Sequence, residues 1–364
     1  MLSFKNFLLM LEGGAAGHMS HPFDLPTVNR GSDLINFFKK ALKSLRKDSG
    51  SVKFDGLNVS LKLIRDDQGH YRFALDRGSN KELDIQGITV DNIEQRFDAT
   101  TGGGTSMINI GKFILPIMDS SIELIMPELT KLRMTKNSNR FLNTEYITKT
   151  TNVTQYDRSM IVFHGVNEFF LTKSQKRGTV SRASKEISYD HAALDSLVIK
   201  LKPVFNQHGF EVFGPTKVSV SAEINLDSVL NEPFKVVYTP TSIVTHPLGV
   251  WLKKAINPRK AEIIDNNGKR ITAMTKNNYL HILNNNPVDS ITADRKAQKL
   301  LVDGAVLYHA TRMLGNTVLN SLGSSAGELT KHEGVVLRDP TISANPVKIT
   351  GEFILRGMES PFKK

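Results

Sequence analysis

The chain has 364 residues, 40% hydrophobic and 23% charged, and no cysteine. That balance belongs to a folded globular protein, its length favours two domains or one domain with an insertion, and the missing cysteines exclude disulfides, thiolate nucleophiles and cysteine zinc sites. Lys plus Arg exceed Asp plus Glu by 47 − 36 = 11, which suits a polyanionic partner whose counterions are released on binding.

Residues 3–12 read as a short helix stopped by Gly13-Gly14, and the FLLML within it is too short for a secretory segment. No apolar run approaches the roughly 20 residues that span a bilayer, so no membrane partner is expected. GGAAG at 13–17 lacks the Lys-Ser/Thr of a phosphate-cradling loop. HMSHPFD places His18, His21 and Asp24 at a spacing compatible with a divalent metal, without a further strong ligand nearby. Ser32 is expected to cap the amphipathic helix DLINFFKKALKSLR, whose Leu34, Phe37, Phe38, Leu42 and Leu45 share one face.

From Ser51 the period changes to two. VKFDG, LNVSLKLIRD and YRFALDRG read as strands, with a polar turn at Asp66–Gly69. TGGGT at 101–105 reads as a flexible loop, and 107–134 as helix with a kink at Pro116. FLNTEYIT and SMIVFHGV return to strand. From about Thr172 to Leu322 helical patterns dominate, interrupted by the strand-like FEVFGPTKVSVSAEI, and HEGVVLRDPTISANPVKITGEFILR is β again. The expected architecture is α+β: an N-terminal helical segment at 1–50, an antiparallel β core at 51–171 and 330–357, a mainly helical insertion at 172–329, and a tail at 358–364.

The chemistry centres on VKFDGLN, which sets Lys53, Asp55 and Gly56 at the mouth of a strand. Alone, Lys-x-Asp-Gly is a weak signal. Its company, in chain order, is Arg77-Gly78-Ser79 at the end of a strand, Glu145 in LNTEYI, Phe163 in IVFHG, Glu333-Gly334-Val335-Val336, and Lys348-Ile349-Thr350.

This ordered set resembles the covalent nucleotidyltransferase superfamily of ATP-dependent DNA ligases, RNA ligases and mRNA-capping enzymes, over roughly 51–171 and 330–357. The chain also looks like a group of bacteriophage proteins that share the EGGAAGHM-HPFD opening. The resemblance implies an antiparallel-sheet nucleotidyltransferase core (ATP-grasp-like, a ligase adenylation fold) carrying the helical insertion. It implies ATP, a divalent metal (Mg2+ or Mn2+), and nicked or broken RNA or DNA as partner, in the cytoplasm, that of the host if the chain is phage-encoded. Lys53 would form lysyl-AMP with Asp55 orienting it. Val52, Gly56 and Asn58 would line the nucleotide. Arg77 would meet the sugar-phosphate, Glu145 a ribose hydroxyl, Phe163 the adenine, Glu333 the metal and Lys348 the α-phosphate.

The physical demand is that an amine attacks phosphorus only when neutral, and a free lysine costs about 4.6 kcal/mol to deprotonate at pH 7. Neighbouring cations and burial lower that cost, and the same cations take up charge growing on the phosphate. Thr350 stands where the family has a second lysine, and with 14 residues from 351 to 364 no C-terminal OB domain is expected. Asn58, five positions after Lys53, matches nick-sealing RNA ligases, where DNA ligases carry arginine; Asp55 stands where those RNA ligases carry histidine. The expected function is therefore a polynucleotide ligase of the RNA-ligase type, sealing 5′-phosphate to 3′-hydroxyl ends. The alternatives are a DNA ligase, nucleotide transfer to a protein or small molecule, and a ligase-like nucleic-acid-binding or virion-assembly module without catalysis. The basic tracts KSQKRGTVSRASK (173–185) and WLKKAINPRK (251–260) would clamp the polynucleotide.

Overall fold

The computed structural model describes residues 19–22, 25–28, 31–47, 50–148, 156–173, 180–220, 223–224, 226, 266–267, 289, 293–322 and 332–351. The segment 3–12, His18, Asp24 and the tract 251–260 lie outside them. The chain divides into two compact units. Unit 1 holds 1–18 and 55–216, and unit 2 holds 19–54 and 217–364.

Unit 1 is built on a six-stranded sheet. Its strands are β2 (Leu57–Arg65), β3 (Tyr71–Leu75), β4 (Arg140–Ile147), β5 (Ser159–Lys173), β6 (Val180–Glu186) and β7 (Phe210–Phe213). The order is β3-β2-β4-β5-β6, every pair antiparallel, with β7 added parallel to β5. Alternation decides the faces. Val59, Leu61 and Leu63 of β2 and Ile161 and Phe163 of β5 point into one core. That core is completed by three helices, Gly102–Ser120, Ile122–Lys131 and His191–Asn206, which supply Ile114, Leu115, Ile125, Leu129, Leu197 and Phe205. Short helical turns at Glu82–Gln86 and Ile93–Arg96 follow β3.

Unit 2 carries a four-stranded antiparallel sheet in the order β10-β9-β1-β8. Its strands are β1 (Gly50–Lys53), β8 (Lys217–Val218), β9 (Gly334–Leu337) and β10 (Val347–Ile349). Helix Gly31–Leu45 buries Leu34, Phe37, Phe38, Leu42 and Leu45, the face its spacing predicts. It begins at Gly31, so Ser32 lies inside the helix. A long helix, Arg295–Asn320, completes the described part, and its Gly315 lies so close to Gly351 that a Cβ would sit 3.0 Å from the Gly351 nitrogen.

The α+β class with antiparallel sheets is what the periodicity predicts. Three particulars differ. TGGGT is the start of a helix: Thr101 Oγ1 accepts from Gly104 N at 3.0 Å, satisfying a first-turn N–H. A Cβ at residue 104 would lie 1.8 Å from the Asp98 carbonyl oxygen, so glycine there permits close approach of two backbones. Residues 180–213 are not part of a separate helical insertion, because β6 and β7 pair directly with β5. Finally, the segments 51–171 and 330–357 do not form one β core: β1, β9 and β10 share a sheet with β8 and not with β2–β5.

Candidate nucleotidyl-transfer site

In unit 2, Lys53 ends β1 opposite Gly334 and Lys348 sits in β10 opposite Val336. Residues paired across antiparallel strands share a face, as do residues two apart on one strand. Lys53 and Lys348 therefore project from the same face, with β9 between their strands. Glu333 precedes β9, and its N–H donates to the Lys53 carbonyl at 2.9 Å. Its Oε2 is in ion-pair contact with Lys53 Nζ, 280 positions away in the chain. Lys53 Nζ also donates to the Phe54 carbonyl at 3.4 Å. The Lys53 and Glu333 side chains are only 16% and 9% exposed. Gly334 is required by contact, since a Cβ would lie 2.0 Å from the Ile349 carbonyl oxygen. Lys348 is buried, and Thr350 is buried with its Oγ1 lacking a hydrogen-bond partner among the described residues.

In unit 1, the sheet face opposite the helical core carries a polar patch among buried apolar residues such as Ile147 and Val162. Asn58 pairs in register with Glu145, and Ser60 with Asn143. Glu145 Oε1 accepts the Gly56 N–H at 2.8 Å, and its Oε2 lies 2.8 Å from His164 Nε2. A Cβ at Gly56 would fall 2.8 Å from Glu145 Cγ and 2.6 Å from Ile147 Cγ1. The glycine of Lys-x-Asp-Gly thus makes room for the acid. The Asp55 N–H donates to the Tyr156 hydroxyl at 2.8 Å. Asn58 Nδ2 donates to Asn143 Oδ1 at 2.7 Å, while Asn58 Oδ1 and Ser60 Oγ are buried without a partner among the described residues. Arg77 Nη1 donates to the Asn58 carbonyl at 2.8 Å. Burial pulls the Arg77 guanidinium below its ordinary value, with Asp84 opposing and Arg96 adding to the effect.

The sequence-predicted residues fall into two groups. Lys53, Glu333 and Lys348 come together in unit 2; Gly56, Asn58, Arg77 and Glu145 come together in unit 1, where Asp55 stands at the entry to the sheet. Two assignments are corrected. Phe163 is fully buried in the helical core, and its cross-strand partner is Thr144, so it faces away from Glu145. The Val52 side chain is buried opposite Val335, one residue out of phase with Lys53 and thus on the other face.

One residue the sequence reading missed is His164. A register shift beside Asn143/Thr144 makes His164 the extra residue of a β-bulge, and bulges re-aim side chains. The signal was in IVFHGV: alternation puts the histidine, not the phenylalanine, on the face of Glu145. Lys62, Asp76 and Arg182 were missed too. Lys62 Nζ donates to Asp76 Oδ2 at 3.0 Å and to the carbonyls of Asp84 and Ile85 at 2.8 and 2.6 Å. Burial pulls its ammonium below the ordinary lysine value, with Asp76 opposing.

Among the described residues, no group of three or more His, Asp or Glu is placed to hold a metal ion. Mg2+ in phosphoryl-transfer sites is held by one or two carboxylates plus substrate phosphates and water, and Glu333 fits that limited role. Among the described residues no helix is long and apolar enough to cross a membrane. Compared with protein-family models, with curated proteins and with solved structures, the chain matches none.

Proposed function

We propose that the chain is an ATP-dependent polynucleotide ligase of the RNA-ligase type, working through AMP held on Lys53. The observation that carries this reading is the meeting, on one small sheet, of a half-buried lysine, a carboxylate 280 positions away and a buried lysine across β9. Lys53 nitrogen would form a bond to the α-phosphorus as the bond to pyrophosphate breaks, its proton leaving to solvent. The AMP would pass to a 5′-phosphate, and a 3′-hydroxyl would then displace it to seal the strand. The ion pair with Glu333 must open before Lys53 can attack. Lys348, on the same sheet, would take up phosphate charge. A bound Mg2+ or Mn2+ would supply charge neutralisation on the phosphates, with Glu333 as the protein's carboxylate for it. By the resemblance, Glu145 would hold a ribose hydroxyl, Asn58 would line the nucleotide and Arg77 would meet the sugar-phosphate.

Thr350 favours a second reading, a nucleic-acid-binding or virion-assembly module without catalysis: a buried hydroxyl replaces a second phosphate-binding lysine. Incubation with α-labelled ATP and Mg2+, followed by a denaturing gel, separates the two. The expected result is a label on the wild type that is absent from Lys53→Ala. No label with any nucleotide leaves the binding module. Nicked RNA, DNA and hybrid duplexes then distinguish an RNA ligase from a DNA ligase.

A further inference from the structure

We infer that Arg182, on strand β6, is a positioning residue that holds Arg77 in place; the inference rests on the nucleotidyl-transfer reading of Arg77. Arg77 and Gly78 lie in a loop after β3, and Gly78 has a φ of +72°, a left-handed conformation that favours glycine. The Arg182 guanidinium brackets this dipeptide. It donates through Nη1 and Nη2 to Asp76 Oδ1 and Oδ2 at 3.0 and 2.8 Å, and through Nη1 to the Ser79 carbonyl at 3.0 Å. Asp76 returns a bond to the loop, accepting the Gly78 N–H at 2.8 Å. A second tie runs from the same strand: Asn80 Nδ2 donates to the Val180 carbonyl at 2.7 Å.

On the far side, Asp84 accepts from the Ser79 N–H at 3.2 Å and from the Ser79 hydroxyl, and is gripped by Arg96 at 2.7 and 3.1 Å. The Arg182 guanidinium lies 4.3 Å from the Phe169 ring centroid, which fixes its plane. A planar fork meets both oxygens of one carboxylate in a bidentate pair, a geometry that a lysine ammonium does not match. Charges this deeply buried are a poor route to stability, since each must first be desolvated. Their geometry is what they contribute here: both ends of the Arg77 loop are pinned from a strand about 100 positions away.

The test compares wild type, Arg182→Gln and Arg182→Lys in lysyl-adenylate formation across ATP concentrations, and in hydrogen exchange at the Gly78 and Ser79 amides. Arg182→Gln is expected to raise the ATP concentration for half-maximal labelling at least about tenfold, with the labelling rate at saturating ATP within about threefold of wild type. Exchange at the two amides is expected to accelerate at least about tenfold, and Arg182→Lys to fall between. A wild type that labels and an Arg182→Gln with the same ATP dependence would overturn the inference. So would unchanged amide exchange in either folded variant. A wild type that takes no label instead removes the nucleotidyl-transfer reading, and the exchange measurement alone then decides whether Arg182 holds the loop. If Arg182→Gln does not fold, Arg182→Lys carries the same comparison.

Discussion

At Glu145, one carboxylate serves two neighbours: it accepts from the Gly56 backbone with one oxygen and meets His164 with the other. Glu145→Gln keeps the shape and one acceptor but loses the charge. It is expected to weaken ATP binding in the labelling assay while leaving the melting temperature within a few degrees of wild type. Phe163→Ala should behave in the opposite way, because Phe163 fills the helical core. A loss of about 3–5 kcal/mol in urea unfolding is expected for it, with no selective effect on nucleotide. Asp84 gives a pH dependence. Burial pushes its carboxyl up, but the Arg96 and Ser79 hydrogen bonds outweigh that and leave it below its ordinary value in the folded chain. A depressed carboxylate stabilises the fold above the unfolded pKa, near 3.9, and that stabilisation is lost as pH falls through the lower folded value. Asp84→Asn should therefore lose stability at neutral pH and show a flatter acid limb in unfolding measurements below about pH 4. That Lys53 and Glu333 belong together was legible because the order of residue types survives in a one-dimensional string, and the two side chains do meet. The face a strand residue takes was not, once a bulge entered: in IVFHGV the aromatic residue was the natural choice until alternation was set against the Thr144 register.

At the scale of elements, the site depends on how closely β9 and β10 can lie. Gly334→Ala would drive a methyl group into the Ile349 carbonyl. Relief requires the strands to separate, at a cost of about 1–3 kcal/mol, and Lys348 moves with β10. The expected outcome is a lowered melting temperature together with reduced labelling at all ATP concentrations, unlike the concentration-dependent defect of Glu145→Gln. Helices were read well where an amphipathic stripe runs unbroken, as in Leu34 to Leu45. The strand at 180–186 was obscured because SRASK is polar and half exposed, and its pairing with β5 supplies the order that its composition does not. TGGGT was obscured for the reverse reason. Three glycines argue against helix by propensity, yet the Thr101 cap starts the helix there and the Asp98 contact requires glycine at 104.

At the scale of the molecule, the division into two units changes what counts as the insertion. Strand order is a long-range property, and nothing in the local pattern of GSVK tells it to pair with GVVL near the other end of the chain. The motif order shows the company that Lys53 keeps, but not that β1 and β2, separated by three residues, enter different sheets. The hydrophobic cluster of unit 1 runs from Val59 to Val212 and lies wholly within the continuous stretch 55–216. Expressed alone, that stretch should unfold in a single cooperative transition by circular dichroism.

The two points where the chain leaves and re-enters unit 2 stand side by side, since Ser51 on β1 is paired with Lys217 on β8 in an antiparallel ladder. The whole of 55–216 can thus be viewed as an outsized hairpin loop grown between two neighbouring strands. Such a geometry tolerates excision: an Asn-Gly turn is the favoured connector for adjacent antiparallel strands. Its practical meaning is modularity, in which the small sheet and the stretch between its neighbouring strands can be exchanged, shortened or evolved as separate parts of one chain.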